Sequence, residues 1–145
     1  MSIETRVTWL KVVGIVLIAL GAVFAVTTTG RLAGVSVLFV DLAVFPVDGG
    51  QSYAAIETRL LAAIVGGLTA GLGAAIWMIA KHVYALNPEV GRKVILTFML
   101  IWFVVDSLGS VLSGAAFNAV LNTLLLATML PPLLGRSAAS ETAPA

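Results

Sequence analysis

Long apolar stretches separated by short polar segments dominate the chain. Four of them approach the roughly 20 residues that an α-helix needs to cross the hydrocarbon core of a bilayer. A helix satisfies its own backbone hydrogen bonds in lipid, so each stretch is predicted to be a transmembrane helix. The predicted spans cover about residues 9–27, 60–80, 94–113 and 116–134. The sequence therefore predicts an all-α, polytopic membrane protein with a single four-helix domain over residues 1–135.

A shorter apolar stretch lies between the first and second predicted spans. It covers residues 32–45, contains Asp41, and ends at Pro46 and the pair Gly49 and Gly50. This length is short for a span and suits a re-entrant or interfacial segment, although a fifth span stays open. We expect a partly buried outer segment in which Asp41 is a solvated, interfacial carboxylate.

The basic residues are distributed unevenly over the two sides that four spans create. Six of them share the side of the N-terminus, the loop 81–93 and the C-terminus, whereas Arg31 and Arg59 lie on the other side. The positive-inside rule then predicts that both termini are cytoplasmic. The small, polar tail over residues 136–145 is expected to be mobile. A cleaved signal peptide is the alternative for the first stretch, but the further apolar segments favour a retained span.

Composition supports a lipid environment and argues against several functional classes. Hydrophobic residues make up 60% of the chain and charged residues 10%, with a mean hydropathy of +1.10, whereas soluble domains are about 25% charged. The net charge of +1 and the lack of a basic cluster give no basis for nucleic-acid binding. The chain has no cysteine and one histidine, His82. We therefore expect no metal site, no cofactor and no enzymatic activity.

The second predicted span carries small residues at every fourth position. Because residues four apart lie on one side of a helix, they form a groove that another helix can approach closely. This small-residue face is interpreted either as a contact with another helix of the same chain, which we favour, or as a self-association surface. Its members are Ala63, Gly67, Gly71 and Ala75.

Polar residues interrupt the last two predicted spans at matching positions. Asp106 lies eight residues before Gly114, where a tight turn is expected, and Asn122 lies eight residues after it. Both residues then lie about 12 Å from the turn, near the middle of a core about 30 Å thick. Ser110 and Asn118 match one helical turn nearer the surface. The sequence therefore predicts two polar pairs across a hairpin, Asp106 with Asn122 and Ser110 with Asn118.

A carboxylate at this depth needs a proton or a cation, because a charge in lipid costs about 2.5 kcal/mol or more. Arg59 is the candidate cation, since its long side chain can extend along the bundle from the outer start of the second span. The predicted polar cluster is interpreted either as a structural clasp between helices, which we favour, or as a site for a proton, an ion or a substrate. It comprises Arg59, Asp106, Ser110, Asn118 and Asn122.

Two stretches resemble a known group of proteins. They are "ETRLLAAIVGGLTAGLGAAIWMIA", in which an arginine opens a glycine-rich helix, and the polar hairpin "DSLGSVLSGAAFNAVLN". Together they are similar to small four-helix proteins of the bacterial inner membrane that are related to DoxX-like proteins. The resemblance implies a four-helix architecture and a bacterial inner-membrane location, and it implies no particular activity.

The sequence favours the first of the following three functions and leaves the other two as alternatives. The first is an accessory or structural membrane subunit that associates with itself or with a larger complex through glycine-rich helix faces. The second is a small proton- or ion-coupled transporter or channel that uses the predicted polar cluster. The third is binding of a membrane lipid or a quinone between the helices.

Overall fold

The computed structural model describes residues 1–134, and its regular structure over that range is helical throughout. Four of its five α-helices are long and apolar enough to cross a membrane, which confirms the predicted all-α, four-span fold. The predicted tail over residues 136–145 lies outside the described residues. The helices are α1 (Ile3–Val26), α2 (Ala33–Val44), α3 (Ile56–Ile79), α4 (Pro88–Leu112) and α5 (Ala116–Leu134).

Three of the four long helices begin before the apolar stretches that predict them. At the start of α1 the Ser2 side chain accepts a hydrogen bond from the backbone N–H of Thr5, at 3.2 Å. At the start of α4 the Asn87 side chain accepts from Val90 N, at 3.1 Å, and Pro88 occupies the first turn. Such caps satisfy backbone donors that have no partner inside the helix. These helices therefore begin before their apolar stretches, because apolarity identifies only the part of a helix that lipid can solvate.

The segment between the first two spans forms the short helix α2, which packs against α5 and α1. The expectation that Asp41 is a solvated carboxylate is wrong, because only 2% of this residue is exposed. One of its oxygens accepts a hydrogen bond from Gly49 N at 2.8 Å, and the other is buried without a partner. Asp41 therefore fixes the turn that follows α2, a contact between residues eight apart in sequence.

The helices α1 and α3 form the closest-packed pair of the fold. A Cβ atom added at Gly73 would lie 2.5 Å from the carbonyl oxygen of Gly14, and one added at Gly66 would lie 2.6 Å from that of Gly21. No real side chain tolerates such distances, so glycine is required where the two backbones cross. The glycines are seven residues apart in each helix, and this spacing keeps both crossings on one side of each helix.

A single apolar core joins this pair to the α4–α5 hairpin. It includes the fully buried Tyr84 in the π-helical turn after α3, whose hydroxyl donates to the carbonyl oxygen of Pro132 at 2.7 Å. Gly91 on α4 lies directly against the Tyr84 backbone. The core is therefore concentrated where the loop between α3 and α4 meets the end of α5. Its other buried members are Leu10, Leu17, Ile76, Ala80, Ile95, Met99, Met129 and Leu133.

Candidate functional site

The hairpin between α4 and α5 places the polar residues of both helices beside one another. Gly114 has a positive φ of 85°, which glycine adopts without strain, at the tight turn that the sequence predicts. Backbone hydrogen bonds close this turn, including one from Ala115 N to Ser110 O at 2.8 Å. The short connection makes α4 and α5 antiparallel neighbours. Residues at equal distances from Gly114 therefore face each other.

The two polar pairs that the sequence predicts lie within hydrogen-bond distance. Asn122 donates to Asp106 Oδ2 at 2.5 Å, and Asn118 donates to Ser110 Oγ at 2.9 Å. Asn118 also donates to Asp106 Oδ2 at 3.2 Å, so one carboxylate oxygen accepts from both amides. These contacts join the two pairs into a single network across the hairpin.

A fifth residue, Ser107, belongs to this network and is absent from the predicted cluster. Its Oγ accepts a hydrogen bond from Asn122 Nδ2 at 3.2 Å. The sequence contained a signal for it, because position 107 is next to Asp106 and faces α5 once the hairpin is closed. We call the observed network the hairpin cluster: Asp106, Ser107, Ser110, Asn118 and Asn122.

The hairpin cluster is only partly shielded by the rest of the chain. Asn122 is 6% exposed, whereas Asp106 is intermediate in burial. No cation within 4.0 Å compensates the Asp106 carboxylate in the part of the chain that the structure describes, where the single ion pair joins Glu89 and Lys93. The amides of two asparagines therefore provide its observed stabilisation.

The structure does not bring Arg59 to this cluster. Its guanidinium donates two hydrogen bonds of 3.0 Å to the backbone carbonyl oxygens of Tyr53 and Ala54, just before α3. These bonds cap the entry into α3, whose main contact is with α1 rather than with the α4–α5 hairpin. The predicted pairing of Arg59 with Asp106 is therefore wrong, because Arg59 binds carbonyl groups of its own loop.

The loop before α3 also holds a buried phenol hydroxyl. The Tyr53 ring packs edge-on against Phe24, with 6.4 Å between the ring centroids, and its hydroxyl is buried without a hydrogen-bond partner. Burial raises the pKa of Tyr53 above its usual value, because the ionised form is the one that loses solvation. The Tyr53 hydroxyl therefore remains neutral at physiological pH.

The small-residue face of α3 is exposed. All four of its members are exposed, and a Cβ atom added at Gly67 or Gly71 would have no other described helix within 4 Å. The neighbouring glycines Gly66 and Gly73 face α1 instead. Our preferred interpretation of this face as a contact within the chain is therefore wrong. The four-residue spacing marks a surface of α3 that no other described helix covers.

The described residues thus present two features on which a function can rest. One is the hairpin cluster, which joins α4 and α5 through a carboxylate and two amides. The other is the small-residue face, on the side of α3 that does not contact α1. The chain matches none of the family models, curated proteins or solved structures with which it was compared.

Proposed function

We propose that this small multi-pass membrane protein is an accessory or structural subunit, and that it binds a transmembrane helix through the small-residue face of α3. The observation that carries the proposal is the contrast between the glycines of this one helix. Gly66 and Gly73 serve the contact with α1, while Gly67 and Gly71 have an open surface before them. Such a surface favours a second helix, because small residues let two backbones approach to van der Waals contact.

The surroundings of this face suit a helix in lipid. Large apolar side chains flank it, among them Leu60, Ile64 and Met78, and each of them is at least 48% exposed. The face itself contains no charged group. A second copy of the chain is the simplest occupant, because a two-fold axis brings the same face of both copies together. The flanking side chains would then pack around a close glycine crossing.

Replacing Gly67 by leucine is expected to weaken this association by about tenfold or more, equivalent to ~1.4 kcal/mol. The added side chain would separate the two helices, whereas the fold should persist because Gly67 contacts no other helix of its own chain over residues 1–134. The chain contains no cysteine, so a Ser140→Cys variant can carry a single fluorophore. Energy transfer between labelled copies in liposomes, measured against the lipid-to-protein ratio, gives the dissociation constant.

Gly109→Leu is the matched control for this experiment. An added Cβ atom at Gly109 also meets no described residue of another element within 4 Å, and Gly109 lies on α4, outside the small-residue face. Its substitution should leave energy transfer at the wild-type level. Where the wild type forms no dimer, the Gly67→Leu and wild-type proteins are compared for the polypeptides that co-purify in mild detergent. Equal assemblies for both proteins would contradict the proposal.

A second candidate function, a proton- or ion-coupled transporter or channel, is favoured by one observation. Asp106 is an ionisable residue within a helix long and apolar enough to span the bilayer, and it has no cation within 4.0 Å among residues 1–134. Ionisable residues at such positions are characteristic of ion and proton paths. The expected path follows the hairpin cluster on the side where Asp106 is partly accessible.

This candidate predicts that Asp106→Asn abolishes flux while the fold is retained. The amide oxygen of the new side chain can still accept hydrogen bonds from Asn118 and Asn122, but it cannot carry an exchangeable charge. Proton or cation flux into liposomes under a pH gradient is the measurement. Glu57→Gln, at an exposed acid at the start of α3, is the control and should leave flux unchanged. Wild-type protein without flux would exclude the transporter.

A further inference from the structure

A groove of about 760 Å³ lies between the first half of α1 and the second half of α5. Its two walls are joined by a hydrogen bond from Trp9 Nε1 to the carbonyl oxygen of Thr128, at 2.9 Å. This volume is in the range of small-molecule sites, about 300–1,000 Å³. We call it the α1–α5 groove, and its lining residues are Glu4, Thr5, Thr8, Trp9, Val12, Val13 and Thr128.

The wall that α1 contributes changes from polar to apolar along the helix. One row of residues four apart runs from Glu4 through Thr8 to Val12, from a carboxylate to a hydroxyl to an isopropyl group. A parallel row leads from Thr5 through Trp9 to Val13. Steps of four residues advance about 6 Å each along the axis. A phospholipid has the same order of groups, with a polar head, an ester region and then acyl chains.

The charge of the groove selects among headgroups. Among the described residues that line the groove, Glu4 is the only one with an ionisable side chain, and no cation of the described chain lies within 4.0 Å of its carboxylate. An anionic lipid would place its charge near the Glu4 carboxylate, which is unfavourable. A headgroup that ends in a cation is complementary.

The remaining polar groups of the groove are hydroxyls and an indole. The Thr128 hydroxyl and the Trp9 indole already donate to the carbonyl oxygens of Leu125 and Thr128. The hydroxyls that can donate to a ligand are those of Thr8 and of Thr5, which lies 2.8 Å from Ser2 Oγ and is free to donate elsewhere when Ser2 is the donor.

We propose that the α1–α5 groove binds a phospholipid with a primary ammonium headgroup. The ammonium group donates charge-assisted hydrogen bonds to Glu4, and the phosphate accepts from the hydroxyls of Thr5 and Thr8. An acyl chain then lies along Val12 and Val13. A quaternary ammonium group has the same charge but no N–H donor, so it binds Glu4 more weakly. This site is separate from the small-residue face of α3 and does not depend on it.

Trp9 reports on occupancy, because it lines the groove and is 41% exposed. In a Trp77→Phe/Trp102→Phe variant it is the only tryptophan, and lipids with brominated acyl chains quench it on contact. Brominated phosphatidylethanolamine, phosphatidylcholine and phosphatidylglycerol are each titrated into vesicles of unlabelled phosphatidylcholine. The expected affinity for phosphatidylethanolamine is about threefold to fivefold above that for phosphatidylglycerol, as suits a charge contact at the exposed Glu4. Phosphatidylcholine should lie between them.

Glu4→Gln should remove most of this preference, and Glu57→Gln, at an exposed acid on α3, should preserve it. If the variant without Trp77 and Trp102 does not fold, the protein with all three tryptophans is used instead. Native mass spectrometry then compares the lipids that this protein and its Glu4→Gln variant retain. Equal binding of all three headgroups, or a preference unchanged by Glu4→Gln, would overturn the proposal. So would quenching that stays weak for every lipid until residues 136–145 are removed, because the tail would then be the occupant.

Discussion

Replacing Gly73 by leucine is expected to destabilise the fold by about 3 kcal/mol or more, the upper part of the range for overpacked cores. Its Cβ would lie 2.5 Å from Gly14 O and 2.7 Å from Ile18 N, and both of these are backbone atoms of α1. Backbone atoms cannot move aside by changing a rotamer, so the two helices must separate. Their separation would expose the closest contact of the fold along much of its length.

Unfolding by sodium dodecyl sulfate in mixed micelles, followed by circular dichroism, measures this loss. Gly109→Leu is the matched control, because it makes the same change in α4, outside the small-residue face. No other described helix lies within 4 Å of an added Cβ at Gly109, so its effect on stability should stay within about 0.5 kcal/mol, as for open surface positions. Similar losses for the two variants would contradict the packing of α1 on α3 described above.

The architecture and the hairpin contacts followed from the sequence because local rules determine them. Length and apolarity identify helices that lipid can solvate, and they located all four. Because a tight turn at Gly114 joins α4 to α5, residues of the two helices at equal distances from Gly114 are paired. Asp106 therefore faces Asn122, and Ser110 faces Asn118. A short connection between two helices leaves few alternative pairings of their residues, so the contacts can be predicted from positions in the sequence.

The contacts of α3 were not predicted correctly from the sequence, because they depend on which helix lies beside it. The sequence shows small residues spaced by four, at Gly67 and Gly71, and others spaced by seven, at Gly66 and Gly73. Only the second set matches an equal spacing on α1, at Gly14 and Gly21, and the antiparallel crossing uses both pairs. Comparing glycine spacings between helices would have found the contact. Spacing within one helix does not distinguish a covered face from an open one.

The positions of Arg59 and Asp41 were missed for a different reason. Each side chain binds backbone groups of a nearby irregular segment, Arg59 the carbonyls of Tyr53 and Ala54, and Asp41 the N–H of Gly49. Loop backbones have donors and acceptors that regular structure leaves unsatisfied. Their positions depend on loop conformation, which the apolar pattern does not contain. Charged residues beside a loop are therefore placed less reliably than those within a hairpin.

Replacing Asn122 by leucine is expected to destabilise the α4–α5 hairpin by about 2 kcal/mol, the typical strength of a hydrogen bond to a charged group. Asn122 is nearly fully buried and donates to both Asp106 and Ser107. Its loss leaves the Asp106 carboxylate with one amide donor, Asn118, in a helix solvated by lipid. Leucine has the same number and branching of side-chain heavy atoms as asparagine, so the change removes hydrogen bonds without opening a cavity. Detergent unfolding in the same mixed micelles measures the effect.

Pairing this substitution with Asp106→Leu separates a structural clasp from a chance contact. The double variant Asp106→Leu/Asn122→Leu should be more stable than Asn122→Leu alone, because it removes the carboxylate whose burial is costly once its donor is lost. The coupling energy between the two positions should then be about 1–2 kcal/mol, within the range for residues of one network. A coupling near zero would mean that the amide does not stabilise the carboxylate. Asp106→Asn retains an acceptor for Asn118 and Asn122. It should therefore destabilise the protein less than Asp106→Leu alone or Asn122→Leu alone, each of which leaves a polar partner unpaired.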